Sequence, residues 1–203
     1  MKKIIFIGVF LAFLTTGVFA QVSIGGGAFF DWSFNNGIKD GDDYMGMRNM
    51  SFGGYIFFDA AYLEADISFA YGMVSSVIKG GGLPLSGDAG SMLQLGFSLL
   101  AKYPIKLESV TIFPLIGAGY NMVLSYKVNG VSAEDAREYL SQFGLLAGVG
   151  LDFNLTNSLF LRAETLFQAR FPMKLMKETA DAVDMTAALG MGPVIKVGIG
   201  YRF

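Results

Sequence analysis

Charged side chains recur at alternate positions within segments of this 203-residue chain that are otherwise apolar. Glu64 and Asp66 lie two residues apart, and Arg162 and Glu164 repeat that spacing with opposite charges. Residues two apart on a β-strand lie on the same face, so each pair would project into one space. Two carboxylates so arranged could serve as the acid and base of a glycosidase. Because cations would face them in a narrow interior, we interpret them as ion-pair partners instead.

The composition excludes several kinds of reaction site. The chain has no histidine and no cysteine, so a Ser-His catalytic pair, an imidazole metal site and a disulfide cannot form. It carries 15 basic and 17 acidic residues without a basic stripe, which argues against nucleic acid as a partner. We therefore expect a protein that is not an enzyme and that has no catalytic residue, no metal site and no cofactor.

The strands that would hold these charges are clearest at the C-terminus, in residues 193–203. One face of this segment is apolar and ends in two aromatic residues, whereas the other carries two cations and two glycines. The apolar positions are Ile195, Val197, Ile199, Tyr201 and Phe203, and the opposite ones are Lys196, Gly198, Gly200 and Arg202. A strand of about ten residues that is apolar toward lipid and polar toward a lumen is typical of a transmembrane barrel.

The same alternation occurs in seven earlier segments, which gives eight strands in all. The earlier strands are predicted at 22–34, 50–59, 63–73, 92–103, 112–125, 142–155 and 159–171. Short turns near residues 60, 106 and 156 alternate with long connections at 35–43, 75–90, 127–141 and 172–192. The sequence thus predicts an all-β fold, an eight-stranded antiparallel up-and-down transmembrane β-barrel with short periplasmic turns and four long extracellular loops.

Hydropathy supports a barrel over a helical membrane protein. Mean hydropathy is +0.48, yet no stretch of about 18 uninterrupted apolar residues follows residue 20. A closed barrel is the other structure that satisfies its whole backbone within lipid. High hydropathy without a helical span therefore favours membrane-crossing strands.

The first twenty residues have the pattern of a secretory signal peptide. Two lysines precede an apolar stretch at 4–14, and cleavage is predicted after Ala20. A single membrane anchor is disfavoured, because the apolar stretch is shorter than the ~20 residues that a span requires. The predicted domains are a signal peptide at 1–20 and an outer-membrane β-barrel at 21–203, in the outer membrane of a bacterium with two membranes.

Two motifs resemble those of a known class of barrel. Residues 113–120, Phe-Pro-Leu-Ile-Gly-Ala-Gly-Tyr, are similar to a Pro-x-x-Gly-x-Gly strand, and the chain ends in Gly-Ile-Gly-Tyr-Arg-Phe. On these residues the chain resembles the small eight-stranded outer-membrane barrels of the OmpA, OmpX and OmpW type, without indicating which of the three. The resemblance implies that Tyr201 and Phe203 belong to a signal read by the barrel-assembly machinery, and that outer-membrane lipids surround the barrel.

The charged inward positions define the candidate site. Eight strands enclose a space that side chains just fill, and a buried charge without a partner is strongly unfavourable. We therefore expect a charge-plugged lumen in a protein with a structural or surface-interaction role, whose long loops could contact a surface ligand. The predicted lumen ion-pair network comprises Glu64, Asp66, Lys102, Asp152, Arg162, Glu164, Arg170, Lys196 and Arg202, with Asp31 nearer the extracellular end.

A second function remains open, because some inward positions are apolar. In the OmpW-like branch, an apolar lumen is associated with the passage of small hydrophobic molecules. The alternative is therefore a narrow channel or transporter for small solutes, hydrophobic ones among them. A soluble lipocalin-like barrel is disfavoured, because its apolar face would point inward. The apolar inward positions are Phe29, Tyr55, Phe57, Leu100, Leu146 and Leu166.

Overall fold

The fold is carried by eight long β-strands. The structure, a computed structural model, describes residues 22–40, 43–80, 83–128, 130–133, 137, 140–171, 186–187 and 189–203. Within these residues the long strands are β1 (Val22–Asp40), β2 (Asp43–Ala60), β3 (Leu63–Gly80), β4 (Leu83–Lys102), β5 (Val110–Val128), β6 (Gln142–Asn154), β7 (Leu159–Arg170) and β8 (Gly190–Arg202).

The strands form one closed antiparallel sheet. Each long strand pairs with the next along the chain. β1 also pairs with β8, with Ser23 opposite Arg202, and this pairing closes the sheet into a barrel. The predicted eight-stranded up-and-down barrel is therefore confirmed. No helix within the described residues is long and apolar enough to cross a membrane.

The two ends of the barrel differ in how the strands are connected. At one end, named the short-turn end, Ala61 and Tyr62 join β2 to β3, and residues 155–158 join β6 to β7. The connection from β4 to β5 at this end contains a three-residue strand, Ile105–Leu107, which pairs with the first residues of β5. The opposite end, named the long-connection end, joins β1 to β2, β3 to β4, β5 to β6 and β7 to β8.

Strand pairing at the long-connection end extends beyond the predicted limits. β1 and β2 stay paired up to Asp40 and Asp43, and β3 and β4 stay paired up to Gly80 and Leu83. Most of the first two segments predicted as loops are therefore strands of prolonged hairpins. Backbone pairing satisfies the polar groups of these segments without any need for an apolar outer row.

Three bulges explain why the sequence pattern ended these strands too early. One extra residue on one strand of a pair exchanges the inward and outward rows beyond that point. In β5, the buried row passes from Val123 to Tyr126, three residues further on, instead of keeping its period of two. The extra residue lies between Ser33 and Asn36 of β1, between Asp88 and Gly90 of β4, and between Val123 and Ser125 of β5.

The remaining two long connections are described in part. Val131–Ser132 forms a short strand that pairs with the end of β5, within the predicted loop at 127–141. Thr186–Ala187 pairs with β1 near the long-connection end. Residues 172–185 of the fourth predicted loop lie outside the described residues.

Apolar side chains lie on the outside of this barrel and charged ones lie inside. Ile195, Val197 and Ile199 of β8 are 45%, 53% and 47% exposed, whereas Lys196 between them is 4% exposed. Aromatic pairs mark both ends of the outer surface, with Tyr62 against Tyr103 and Tyr201 against Phe203 at the short-turn end, and Trp32 against Phe34 at the other. An apolar convex face with aromatic borders fits a bilayer and excludes the lipocalin-like arrangement.

Candidate functional site

Three phenylalanine rings fill the interior near the short-turn end, and each has a glycine as its direct partner on a neighbouring strand. A Cβ atom at any of these glycines would overlap the ring of its partner. The glycines therefore let the rings lie against the barrel wall, where all three are fully buried. The pairs are Phe57 with Gly25, Phe113 with Gly150 and Phe160 with Gly200.

These rings surround the guanidinium group of Arg162, and we name them the aromatic cage. The guanidinium carbon lies 4.3 Å from the centroid of Phe57, 5.0 Å from that of Phe113 and 5.2 Å from that of Phe160. Each distance lies within the range of a cation–π contact. The cage thus holds a fully buried cation near the short-turn end of the barrel.

Carboxylates from three strands accept hydrogen bonds from the guanidinium group of Arg162. Arg162 donates from Nε to Asp152 Oδ1 at 2.7 Å and from Nη2 to Asp152 Oδ2 at 2.8 Å, a bidentate pair. It also donates from Nη1 to Glu64 Oε2 at 2.6 Å and from Nη2 to Asp59 Oδ2 at 2.7 Å. Asp152 is its cross-strand partner on β6, whereas Asp59 and Glu64 lie on β2 and β3. Arg162 therefore bridges opposite walls of the barrel.

Two further cations share the carboxylates of Arg162. Lys102 of β4 pairs with Asp59, and both side chains are almost fully buried. Arg202 of β8 lies 3.8 Å from Asp152 and donates a 2.9 Å hydrogen bond to Asn154 Oδ1. Asp59 and Asp152 are thus each shared by two cations, so the loss of either carboxylate would leave two positive charges undercompensated.

Asp59 is the member that the sequence analysis missed. It lies at the end of β2 beside a turn, where an acidic residue is usually solvated. It nevertheless follows Phe57 by two residues on the inward row, and it faces Glu64 across the hairpin. Extending the alternation of β2 by one step would have placed it in the interior.

A second group lies next to the cage along β8 and β7. Lys196 Nζ is 2.6 Å from Asp66 Oδ2 and 3.7 Å from Glu164 Oε2, and Ser98 Oγ donates to Asp66 at 2.5 Å. Glu164 Oε1 lies 3.8 Å from Arg162 Nε, and neither oxygen of Glu164 has a hydrogen-bond partner among the described residues. Glu164 therefore links the two groups through charge alone.

Arg170 forms a separate pair further toward the long-connection end. It donates to Asp31 and, at 3.0 Å, to Gln168 Oε1. Asp31, which lies on β1, is 4% exposed. Among the described residues this pair forms no ion pair with Arg162 or Lys196, so it stands apart from the groups described above.

The predicted lumen residues thus fall into two sets. Eight of the nine are joined through ion pairs with Asp59 into one connected set, which we name the charge cluster, and Arg170 lies outside it. All but Arg202 are at most 8% exposed. The charge cluster contains five carboxylates and four cations: Asp59, Glu64, Asp66, Asp152, Glu164, Lys102, Arg162, Lys196 and Arg202.

Apolar side chains form two further layers in the interior. The first lies against the aromatic cage and includes three of the apolar positions predicted to face inward. Its members are Leu100, Phe113, Leu115, Leu146, Leu166 and Val194, with Phe29 packed against them. The second, which we name the mouth cluster, lies near the long-connection end and consists of Val74, Val123, Tyr126 and Leu140, with Met47 and Met92 beside it.

The cavities of the interior differ greatly in size. Two cavities between the mouth cluster and the cage measure about 30 and 40 Å³, enough for a few water molecules each. A third, of about 740 Å³, lies at the short-turn end, where Lys102, Asp59, Asp152 and Phe113 form part of its lining. The charge cluster and the cage therefore separate a wide vestibule from a nearly filled interior.

The two predicted assembly residues lie outside the barrel wall. Tyr201 is 49% exposed and Phe203 is 76% exposed, with their rings edge to face at 5.3 Å. Phe203 N donates to Val22 O, which ties the C-terminus to β1. Within the described residues, no group of three or more acidic side chains is placed to hold a metal ion.

Comparisons with known proteins identify the family. The profile of the OmpW family matches residues 48–203. OprG of Pseudomonas aeruginosa is 15% identical with a TM-score of 0.53, over 90% of this chain and 95% of its own. Neisserial surface protein A is 10% identical with a TM-score of 0.52, over 90% of this chain and 97% of its own. Curated protein sequences give no match. Because the profile covers more than half of the chain, this outer-membrane β-barrel belongs to the OmpW family.

Proposed function

We propose that the charge cluster is a plug that keeps the barrel closed, and that the protein has a structural or surface-interaction role in the outer membrane. The observation that carries this proposal is Arg162, which binds Asp152 on its own side of the barrel and Glu64 and Asp59 on the other. A solute that crossed this level would have to separate these charges. We propose no enzymatic activity.

The energetic argument concerns how often such a plug would open. Separating a buried ion pair leaves an unpaired charge and costs about 3–5 kcal/mol. An opening of that cost is populated on the order of 10⁻³ of the time, since each 1.4 kcal/mol is a factor of ten. The aromatic cage adds cation–π contacts to Arg162 that opening would also remove. Conductance of the unmodified barrel should therefore consist of rare, small events.

Planar-bilayer recording tests the plug. The Arg162→Gln variant should conduct more than the unmodified barrel, because it removes the charge that joins the two walls. The matched control is Arg48→Gln, which makes the same change on the outer surface of β2, where Arg48 is exposed. Steady, large conductance in the unmodified barrel would contradict the proposal, and so would equal conductance in the two variants.

The surface role would belong to the prolonged hairpins. In the family plan the short turns face the periplasm and the long connections face outward, so the β1–β2 and β3–β4 hairpins would extend into the extracellular space. Backbone pairing along both hairpins would hold the residues that join their strands in a fixed position for contact with a partner. Shortening both hairpins should remove binding of intact cells to any surface partner while the barrel stays folded; unchanged binding would exclude them as the contact.

A second candidate function is a narrow path for small solutes, hydrophobic ones among them. The mouth cluster favours it, because Leu140 presents an apolar side chain over the interior. Ser141 Oγ accepts a hydrogen bond from Val123 N at 3.1 Å, and Arg137 Nη1 donates to Leu124 O at 3.1 Å, which holds this segment in place. If solutes pass here, Leu140→Ala should speed their uptake into liposomes, whereas no change would reject this path.

Export and assembly complete the proposal. Cleavage after Ala20 would release the mature barrel at 21–203. Mass spectrometry of the purified mature protein would identify its N-terminal residue and so test this cleavage site. Tyr201 and Phe203 would serve as the signal for the barrel-assembly machinery. Their exposed rings at the end of the closing strand support this role.

A further inference from the structure

The outer surface near the long-connection end carries a groove that the plug does not use. It has a volume of about 600 Å³ and crosses β1 to β5. One row of direct cross-strand neighbours runs along it, from Trp32 through Met50, Met73 and Ser91 to Lys127. These residues share the outward face, so the groove opens on the membrane-facing surface, and the buried side chains of Asn49 and Val74 complete its lining.

One side of the groove is apolar. Trp32, Met50, Tyr71 and Met73 are 46%, 41%, 43% and 45% exposed, although each has a large apolar side chain. They continue the outward apolar rows of β1, β2 and β3. In a bilayer these side chains meet lipid acyl chains, because the family places this surface in the outer membrane.

The other side of the groove is cationic. Arg48 lies on the outward face of β2, two residues from Met50 toward the long-connection end. Lys127 lies near the end of β5, and both side chains are exposed. Neither has an ion-pair or hydrogen-bond partner among the described residues. Three strand spacings of about 4.8 Å and an offset of two residues, about 7 Å along the strand, separate the two backbones, so two long side chains could reach one ligand placed between them. The described side chains that line the groove include no acidic one, although the backbone of Asp88 on β4 pairs with Ser75.

A small residue lies beside each of the two cations. Ser75 is the direct partner of Arg48, and Ser91 is the direct partner of Lys127, so each cation has a hydroxyl beside it. Gly90 has a φ of +142°, and a Cβ atom there would overlap the carbonyl of Lys127. The backbone at this position therefore approaches β5 without a side chain, which keeps the groove open.

We propose that this groove binds a membrane lipid whose headgroup carries an anionic phosphate. Arg48 and Lys127 would neutralise the phosphate, with the planar guanidinium offering paired donors and the serine hydroxyls completing its hydrogen bonds. The acyl chains would lie on Trp32, Met50, Tyr71 and Met73. A free anion would leave the apolar side of the groove without contacts, whereas the acyl chains of a lipid would cover it.

The only tryptophan of the chain lies in the groove and supplies the measurement. The purified barrel is placed in phosphatidylcholine vesicles, and a small fraction of lipid is replaced by phosphatidic acid with brominated acyl chains, which quench a tryptophan in contact. The reference is phosphatidylcholine with the same brominated chains. We expect phosphatidic acid to quench Trp32 at about tenfold lower mole fraction, since each juxtamembrane cation favours an anionic lipid.

Variants distinguish binding in the groove from a general attraction of the protein for anionic lipids. The double variant Arg48→Gln, Lys127→Gln should lose the preference for phosphatidic acid, whereas Lys106→Gln, which removes an exposed cation at the opposite end, should keep it. Equal quenching by the two lipids, or a preference that survives the double variant, would overturn the proposal. Release of the lipid by millimolar inorganic phosphate would also overturn it, because the groove would then be a site for the anion alone.

Discussion

Gly200 of β8 lies directly opposite Phe160 of β7, and the Phe160 ring covers the glycine so closely that no Cβ atom would fit. The same relationship links Gly25 to Phe57 and Gly150 to Phe113. Three glycines on three strands therefore determine where the aromatic cage can form. The position of Arg162 depends in turn on the cage.

We expect Gly200→Ala to displace the Phe160 ring and loosen the plug. Overpacking of this kind lowers the free energy of unfolding by about 1–3 kcal/mol, measurable by urea unfolding in phospholipid vesicles, and conductance should rise. The control is Gly54→Ala on the outward face, where a Cβ atom would meet nothing closer than 3.6 Å. If the two variants were equally stable and equally closed, the glycine would not support the cage.

An Arg162→Ala barrel should be closed again by guanidinium ions. The substitution leaves Phe57, Phe113 and Phe160 around a space that Asp152 and Glu64 still face, so the vacated space keeps its preference for a planar cation. Low millimolar guanidinium should reduce the conductance of the variant, whereas sodium at the same concentration should not. Equal effects of the two ions would show that the cage has no such preference.

Asp59→Asn should be strongly destabilising, because Lys102 and Arg162 both lose charge compensation. We expect the free energy of unfolding to fall by about 3–5 kcal/mol. Lys102→Met in the same background should recover part of the loss, with a coupling of about 0.5–3 kcal/mol. Asp31→Asn breaks a pair outside the charge cluster, so its effect on the free energy of unfolding should instead add to that of Lys102→Met. Additivity of the Asp59 and Lys102 changes would contradict the shared pair.

Phe203→Ala should reduce assembly more than it reduces stability. Its ring is exposed beyond the end of β8, so few packing contacts are lost. The fraction of folded barrel in outer membranes should fall severalfold, while the variant refolded in detergent keeps its unfolding midpoint. Phe171→Ala, an exposed aromatic at the opposite end, is the control. Equal assembly of the two variants would reject a special role for the C-terminal residue.

The sequence was sufficient to predict the barrel and the inward charges, because both depend only on a period of two. Lys196 and Glu164 could be assigned to the interior from their neighbours along the strand. Asp59 keeps the same period at the end of the predicted strand 50–59, and it was left out because an acidic residue beside a turn is usually solvated. The prolonged hairpins were missed for a different reason, since the bulges exchange the inward and outward rows.

The contacts within the site depend on register, which alternation alone does not give. The pairing of Gly150 with Phe113, or of Gly25 with Phe57, requires the alignment of neighbouring strands. The contacts of Arg162 with Glu64 across the barrel further require the curvature of the closed sheet. The cage and the separate position of Arg170 could therefore be found only in three dimensions.

The bridge made by Arg162 also bears on how the sheet acquires its stagger. A slip of β7 by one residue would turn Arg162 and Glu164 toward the acyl chains, at a cost that depends on depth and reaches about 2–4 kcal/mol for an arginine at the bilayer midplane. The same slip would leave the carboxylates of Asp59 and Glu64 without the positive charge of Arg162. A closed barrel with the wrong strand register is thus destabilised both on its lipid-facing surface and in its interior. Arg162 therefore favours the correct register between strands that come together only when the barrel closes.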